Sequence, residues 1–135
     1  MSEARPRYAR NAGAVFSLKY HIVWCPKYRR PVLVPPVDAR LKQILGAVAS
    51  EHGFTVHMLE VMPDHVHMFV ESDPTRSVAE IVNRFKGVSS RVLRQEFRHL
   101  RSRLPTLWSR SYFVATVGTV SEATIRRYIE AQKGK

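Results

Sequence analysis

An alternation of apolar and histidine side chains is the feature that most constrains the fold of this chain. Val66, Met68 and Val70 alternate with His65 and His67 over a short segment. Because successive side chains of a β-strand point to opposite faces, this spacing predicts a strand with its apolar face in a core and both imidazoles on the other face. Neutral imidazole is a common metal ligand. The pair therefore predicts half of a metal site; the alternative is a chance His-x-His with no ligand.

The single cysteine, Cys25, narrows the kinds of protein and of metal site to be considered. One cysteine builds no disulfide framework, which is typical of a reducing compartment, so we expect a cytoplasmic protein. A structural zinc site would need two more Cys or His ligands at suitable spacing, and no Cys-x-x-Cys occurs, so such a site is not expected. No segment approaches the roughly 18 apolar residues of a membrane span.

The charge of the chain favours a polyanionic partner. Lysine and arginine number 22 against 11 acidic residues, which gives a formal net charge of +11. The basic residues cluster in the first thirty positions and in residues 84–103, with aromatic residues among them, a combination that suits the phosphates and bases of single-stranded nucleic acid. An anionic membrane surface is the weaker alternative, because no basic helix carries a wide apolar stripe. The candidate DNA contacts are Lys27, Arg29, Arg30, Lys86 and Arg91.

The order of predicted elements indicates an α+β fold. Residues 1–14 are predicted to form a basic flexible arm, and residues 15–135 a single domain. The order strand, helix, strand, strand, helix, strand is that of ferredoxin-like and RRM-like split β-α-β domains, in which two helices back a four-stranded antiparallel sheet. A further helix follows at the C-terminal end.

Local signals set the expected boundaries of these elements. Gly53 is expected to end the first long helix, and Ser77 to cap the second, whose Gly87 and Ser89–Ser90 predict a bend or a split. Gly118 should break the last strand and Ser121 cap the last helix. The expected strands are Val15–Trp24, Phe54–Met62, Val66–Val70 and Tyr112–Val117, and the expected helices are Val37–Glu51, the one that Ser77 opens, and a last one that runs to about Gln132.

Two polar residues of the last helix complete a candidate reaction centre. Tyr128 and Gln132 are four residues apart and share one face of the helix. A tyrosine hydroxyl, with a pKa of about 10, is a weak nucleophile unless a metal polarises the group that it attacks. Two imidazoles and one amide oxygen suit Mn²⁺ or Mg²⁺ and leave positions open for phosphate oxygens. The alternative is that Tyr128 is a half-buried aromatic residue and Gln132 faces solvent.

Five sequence blocks together resemble the HUH single-tyrosine transposases of the insertion-sequence 200/605 group. The resemblance implies an enzyme that cleaves and rejoins single-stranded DNA at insertion-sequence ends through a 5′-phosphotyrosine intermediate. It further implies that Tyr128 is the nucleophile and that His65, His67 and Gln132 bind Mg²⁺ or Mn²⁺. The blocks are Tyr20–Arg29, Val61–His67, Phe85–Arg91, Leu107–Phe113 and Tyr128–Gln132.

The resemblance also implies partners and leaves alternatives open. The expected partners are DNA hairpins at element ends and a second copy of the chain, with the C-terminal helix able to complete the partner's site after pivoting near Gly118–Thr119. A domesticated module that grips hairpins without cutting them, and a hairpin-processing nuclease of a repeat system, are the alternatives. Asp64 is expected to shape a turn or to orient an imidazole. His21 and His57 are expected to be ordinary strand residues.

Overall fold

The computed structural model describes residues 9–11, 14–16, 18–116 and 122–135, and the structural statements below concern these residues. Two short strands, β1 and β2, form a hairpin that precedes the main fold. A 3₁₀ turn at Lys27–Arg29 follows β3. The strands are β1 (Ala9–Asn11), β2 (Ala14–Phe16), β3 (Leu18–Trp24), β4 (Thr55–Met62), β5 (His65–Ser72) and β6 (Phe113–Ala115), and the helices are α1 (Val37–His52), α2 (Val78–Glu96), α3 (Arg98–Ser102) and α4 (Glu122–Ala131).

The main sheet has the strand order β4-β5-β3-β6 and is antiparallel throughout. Its first and third strands, β3 and β5, occupy the centre, as a split β-α-β arrangement requires. The helices α1 and α2 pack on one face of this sheet. The predicted α+β, ferredoxin-like architecture, with four strands, two backing helices and a further C-terminal helix, is therefore confirmed.

The core lies between one face of the sheet and the two long helices. Val66, Met68 and Val70 are fully buried, whereas the side chains that alternate with them are only partly buried. Burial of each such aliphatic side chain contributes about 1.5–3 kcal/mol, so the hydrophobic effect determines which face of β5 is turned inward. The histidine pair consequently lies on the opposite face. The largest fully buried partners include Ile22, Trp24, Leu41, Leu45, Ile81 and Phe85.

The predicted first strand is divided in the structure. Leu18 pairs with Ser72, the last residue of β5, so the ladder between β3 and β5 ends there. Residues 14–16 instead pair with residues 9–11 in the separate hairpin. Residues 9–11 fall in the segment predicted to be a basic arm, and the division of the chain into arm and domain stays a prediction.

Helix α2 runs unbroken from Val78 to Glu96, so the predicted split is wrong, whereas the alternative of a bend stays a prediction. The hydroxyl of Ser89 donates to the carbonyl oxygen of Phe85 at 2.6 Å and accepts from Nε1 of Trp108 at 3.0 Å. The Ser89 hydroxyl thus shares a carbonyl oxygen of the preceding helical turn and at the same time binds a neighbouring loop.

The predicted cap of α2 and the predicted end of α1 are both confirmed. The side chain of Ser77 accepts from the backbone N–H of Glu80 at 3.1 Å, which confirms the cap of α2. Gly53, with a φ of 74°, ends α1 in the left-handed conformation that favours glycine. Strand β6 is shorter than the predicted 112–117, and Val117, together with the expected breaks and pivot at Gly118, Thr119 and Ser121, lies outside the described residues.

The Ser89→Ala substitution is expected to lower the free energy of unfolding by about 1–3 kcal/mol, because it leaves the buried indole N–H of Trp108 without an acceptor. Urea denaturation followed by far-UV circular dichroism measures the change. Ser102→Ala, at the exposed end of α3, is the matched control and should change stability by less than about 0.5 kcal/mol. Equal midpoints for the two variants would contradict this account of α2.

Candidate active site

Strand β5 presents His65 to the open face of the sheet with a carboxylate behind it. Nδ1 of His65 lies 2.9 Å from Oδ1 of Asp64. An ionised carboxylate only accepts hydrogen bonds, so Nδ1 carries the hydrogen and Nε2 presents its lone pair. Carboxylate support of this kind is typical of metal-binding imidazoles. Asp64 therefore fills both roles considered for it, since it also lies in the turn between β4 and β5.

His67 lies between an acid and a third histidine. Its Nδ1 is 3.6 Å from Oε1 of Glu60, and its Nε2 is 3.2 Å from Nδ1 of His21. Burial, reinforced by the neighbouring His21, lowers the pKa of His67. The neutral imidazole, which is the form that binds metals, is thereby favoured.

The contact between His21 and the histidine pair was not predicted from the sequence. Val23 of β3 is paired with His67 of β5, which brings His21, two residues earlier, diagonally next to His67. The ring of His21 also stacks on Phe69 at 4.4 Å. Only the strand register reveals this proximity. His57, expected to be an ordinary strand residue, lies 2.7 Å from Glu71 on the neighbouring strand.

Ser111 connects the two candidate site residues Tyr128 and Gln132. The hydroxyl oxygen of Ser111 lies 2.8 Å from Oε1 of Gln132 and 2.9 Å from the hydroxyl of Tyr128. An amide oxygen only accepts, so Ser111 donates to Gln132 and Tyr128 donates to Ser111. Burial raises the pKa of Tyr128, and the hydrogen bond with Ser111 opposes that rise. Gln132 is 6% exposed, contrary to the solvent-facing alternative.

Helix α4 lies on the same face of the sheet as the histidine pair. Ile129 packs against Val23, which is the cross-strand neighbour of both His67 and Phe113. The ring of Tyr128 lies 5.9 Å from that of Phe113. Residues paired directly across strands share a face. The fold therefore brings all four predicted site residues to one side of the sheet.

The sole cysteine lies beneath this helix. Cys25 is fully buried and belongs to the small apolar cluster formed with Val23 and Ile129. Burial, supported by the carboxylate of Asp64, raises the pKa of the Cys25 thiol to about 12. The thiol is thus protonated at neutral pH and contributes packing beneath α4.

Arg29, one of the predicted DNA contacts, joins the turn before β5 to helix α4. Its guanidinium lies 3.5 Å from Oδ2 of Asp64 and 3.4 Å from Oε2 of Glu130, and it donates to the carbonyl oxygen of Ile129 at 3.3 Å. The adjacent candidates Lys27 and Arg30 have their charges 5.2 and 5.9 Å from the ring centre of Tyr28. Contact of any of these three cations with phosphate stays a prediction.

Lys86 holds the loop that presents Ser111. Its ammonium donates to the carbonyl oxygens of Ser109 at 2.7 Å, Ser111 at 3.3 Å and Arg110 at 3.5 Å. Burial lowers the pKa of Lys86 to about 8, while Cys25 opposes that shift. Lys86 is therefore a structural tether of this loop, and its predicted contact with phosphate is untested.

Two adjoining cavities flank the loop and share Ser90 on helix α2. The first has a volume of about 480 Å³ and lies between α2 and residues 106–110; the second, of about 340 Å³, lies between α2 and α3. Arg91, one of the predicted DNA contacts, is exposed at the second cavity. The other cationic residues of the two linings are Lys86, Arg94, Arg101 and Arg110.

The donor atoms on the open face are chemically suited to a divalent cation of mixed nitrogen and oxygen preference. Two imidazole nitrogens and the amide oxygen of Gln132 form the set. Within the described ranges, no group of three His, Cys, Asp or Glu residues could hold a metal by itself. A cation held by the two histidines would therefore need an amide or an external ligand in addition. No helix in the described part of the chain is long and apolar enough to cross a membrane.

Sequence comparisons agree on one protein family. A model of the IS200-like transposases matches residues 14–132. The chain is 40% identical over 125 residues to the ISDra2 transposase TnpA of Deinococcus radiodurans, covering 91% of this chain and 89% of that protein. It is 34% identical over 119 residues to the transposase for insertion sequence element IS200 of Salmonella typhimurium, covering 87% and 78% of the two chains.

Solved structures share the fold. A crystal structure of a candidate transposase from Deinococcus radiodurans superposes with a TM-score of 0.87 at 38% identity and covers 94% of this chain and 99% of that one. A REP-associated tyrosine transposase bound to a REP hairpin superposes with a TM-score of 0.57 at 14% identity, covering 96% and 69%. At that identity the second likeness shows the fold alone.

Lys86 is expected to titrate near pH 8, because its surroundings disfavour the charged form relative to solvent. Between that pH and the ordinary lysine pKa, the unfolded chain binds a proton that the folded chain lacks, so the Lys86 contribution to stability rises with pH. NMR of ¹³C-methylated lysines measures the pKa, and Lys86→Met identifies the resonance. A Lys86 resonance that titrates with the exposed lysines would contradict the effect of burial.

Proposed function

The chain belongs to the IS200-like transposases, and on that premise we propose that it is a metal-dependent tyrosine transposase acting on single-stranded DNA. The observation that carries the proposal is the placement of Tyr128 and Gln132, joined through Ser111, on the face of the sheet that bears His65 and His67. A tyrosine, two imidazoles and an amide oxygen on one face provide a nucleophile together with ligands for a phosphate-activating cation.

The proposed reaction exchanges one phosphodiester for another. The hydroxyl oxygen of Tyr128 attacks phosphorus; the new bond joins that oxygen to phosphorus, and the bond from phosphorus to the 3′ oxygen breaks. The tyrosine loses its proton and the departing oxygen gains one, which leaves a 5′-phosphotyrosine and a free 3′-OH. Attack by a 3′-OH reverses these bond changes and rejoins DNA. Each step replaces one phosphoester bond by another of the same kind, so no ATP is consumed.

Ser111 has a positioning role in this scheme. It holds the hydroxyl of Tyr128 through one hydrogen bond and the amide oxygen of Gln132 through another. Restriction of both side chains to one arrangement reduces the entropy lost when the nucleophile meets a phosphate. Lys86 fixes the loop itself through the three carbonyl oxygens of residues 109–111.

The proposed cofactor is Mg²⁺ or Mn²⁺, held by His65, His67 and Gln132. When bound, such an ion withdraws charge from the phosphate under attack and stabilises the departing oxygen. Two observations support these ligands: the Asp64 carboxylate leaves Nε2 of His65 with a lone pair, and burial favours the neutral form of His67. Gln132 is buried, which supports its amide oxygen as a ligand rather than as a group that faces solvent.

The proposed partners are DNA hairpins at insertion-sequence ends and a second copy of the chain. A net charge of +11 supports a nucleic-acid partner, and one structural neighbour holds a REP hairpin. In the described structure, α4 packs on the sheet of its own chain. In the proposed homodimer, α4 of either subunit is able to complete the site of the other.

Tyr128→Phe is expected to abolish covalent attachment to DNA, because it removes the attacking oxygen and leaves the ring packing. The assay mixes protein with single-stranded DNA that carries the hairpin and flank of its element, adds Mn²⁺ or Mg²⁺, and resolves a shifted band on a denaturing gel. The band should also disappear with His65→Ala and with chelator. The matched control is Tyr20→Phe, on the core face of β3, which should retain the band.

Two outcomes of that assay would overturn the proposal in different ways. An adduct that persists in Tyr128→Phe would show that another residue is the nucleophile. Tight hairpin binding without an adduct in either metal would instead indicate a module that grips DNA without cutting it.

Arg91→Ala is expected to weaken binding of single-stranded DNA and to reduce the slope of log affinity against log salt by about 0.7, the loss of one phosphate contact. Fluorescence anisotropy over a range of salt concentrations would measure the slope. Arg40→Ala is the matched control, because that guanidinium is already paired with Glu96 at 2.8 Å on α1 and α2. A wild-type slope for Arg91→Ala would exclude Arg91 from the interface.

A further inference from the structure

The turn that carries Arg29 has an unusual backbone. Tyr28 and Arg29 have φ angles of 61° and 53°, in the left-handed region that residues other than glycine rarely adopt. Such a residue persists only where surrounding contacts impose its conformation. Here Lys27 N–H donates to the carbonyl oxygen of Leu107 and Arg29 N–H to that of Pro26, both at 2.8 Å. The strained turn fixes the direction in which the Arg29 side chain leaves the backbone.

On one side, Arg29 shares a carboxylate with a site histidine. Oδ2 of Asp64 is 3.5 Å from Nε of Arg29, while Oδ1 of the same carboxylate is 2.9 Å from Nδ1 of His65. The two oxygens of one rigid group thus take the two partners. Any rotation of the Asp64 carboxylate that follows Arg29 also moves the acceptor of His65.

On the other side, Arg29 contacts the last turn of α4. It donates to the carbonyl oxygen of Ile129 at 3.3 Å and lies 3.4 Å from the carboxylate of Glu130. Carbonyl oxygens at the C-terminal end of a helix carry partial negative charge, so a cation there is favourable. The Arg29 side chain is 18% exposed and that of Glu130 67%, so the pair with Glu130 is the weaker of these contacts.

We propose that Arg29 is a positioning residue that couples the docking of α4 to the orientation of His65, with Asp64 as the intermediate. This inference rests on the proposed function, in which the nucleophile on α4 must meet the histidine pair. When α4 leaves the sheet, Arg29 loses its partners Ile129 and Glu130 and, of the side-chain contacts described above, keeps the one with Asp64. The two halves of the site are thereby linked, and linkage between two positions acts equally in both directions.

The decisive variant is Asp64→Asn, which is made away from α4. The protein is used without DNA or metal, and amide hydrogen exchange is measured for residues 123–131. Because the neutral amide introduced at this position would no longer hold the Arg29 guanidinium by charge, exchange in α4 is expected to rise roughly threefold to tenfold. Arg29→Ala should produce a rise at least as large, and the double variant should exceed Arg29→Ala by little, since the two act in one chain of contacts.

The reverse direction is tested with Glu130→Gln, an exposed substitution on α4 that preserves shape. The Nδ1–H signal of His65 in ¹⁵N NMR is expected to shift, although Glu130 does not touch His65. Arg103→Ala, which removes the same charged side chain as Arg29→Ala but at the exposed end of α3, is the control and should change neither α4 exchange nor the His65 signal. A role of Arg29 in stability alone would leave that signal unmoved.

Each contrary result has a defined meaning. Wild-type exchange of α4 in both Arg29→Ala and Asp64→Asn would overturn the proposal entirely. Two further results would show that Arg29 is a docking contact without coupling. One is a rise in α4 exchange in Arg29→Ala but no rise in Asp64→Asn. The other is an unshifted His65 signal in Glu130→Gln. None of these readouts needs DNA cleavage, so failure of the proposed function, seen as a wild-type protein that forms no DNA adduct, is a separate result.

Discussion

The burial of three alternate side chains of β5 is the constraint on which the rest of the structure depends. Val66, Met68 and Val70 are fully buried against the helices, so the side chains between them must face the other way. A shift of the strand by one residue would exchange the two faces and bury both imidazoles in an apolar core. The placement of the histidine pair on the open face is therefore secured by apolar packing on the opposite face.

A second set of contacts links helix α2 to the C-terminal residues Tyr128 and Gln132. Ser89 of the buried helix α2 binds the indole of Trp108, and Lys86, one turn earlier, binds the carbonyl oxygens of residues 109–111. Ser111, held in that loop, meets Tyr128 and Gln132. Tyr128 is thus positioned by a helix on the far side of the sheet, through the loop that precedes β6.

Features with a local cause could be predicted from the sequence, and features with a tertiary cause could not. The alternation at His65–Val70, the Ser77 cap and Gly53 each act within a few residues, and the structure follows them. The contacts of His21 and Ser111 depend on strand register and loop docking, for which a serine or a histidine in isolation gives no signal. The charge that placed Arg29 among the predicted DNA contacts is visible in the sequence, whereas the left-handed backbone of its turn and its contacts with Asp64 and α4 are not.

The packing of Cys25 beneath Ile129 makes the thiol a probe of whether α4 is seated on the sheet. The thiol is fully buried and its pKa is raised to about 12, so a maleimide or disulfide reagent meets no thiolate while α4 is seated. Thiolate and access are both required for such chemistry. With one cysteine in the sequence, thiol labelling of the unmodified protein would report any lifting of α4 that exposes Cys25.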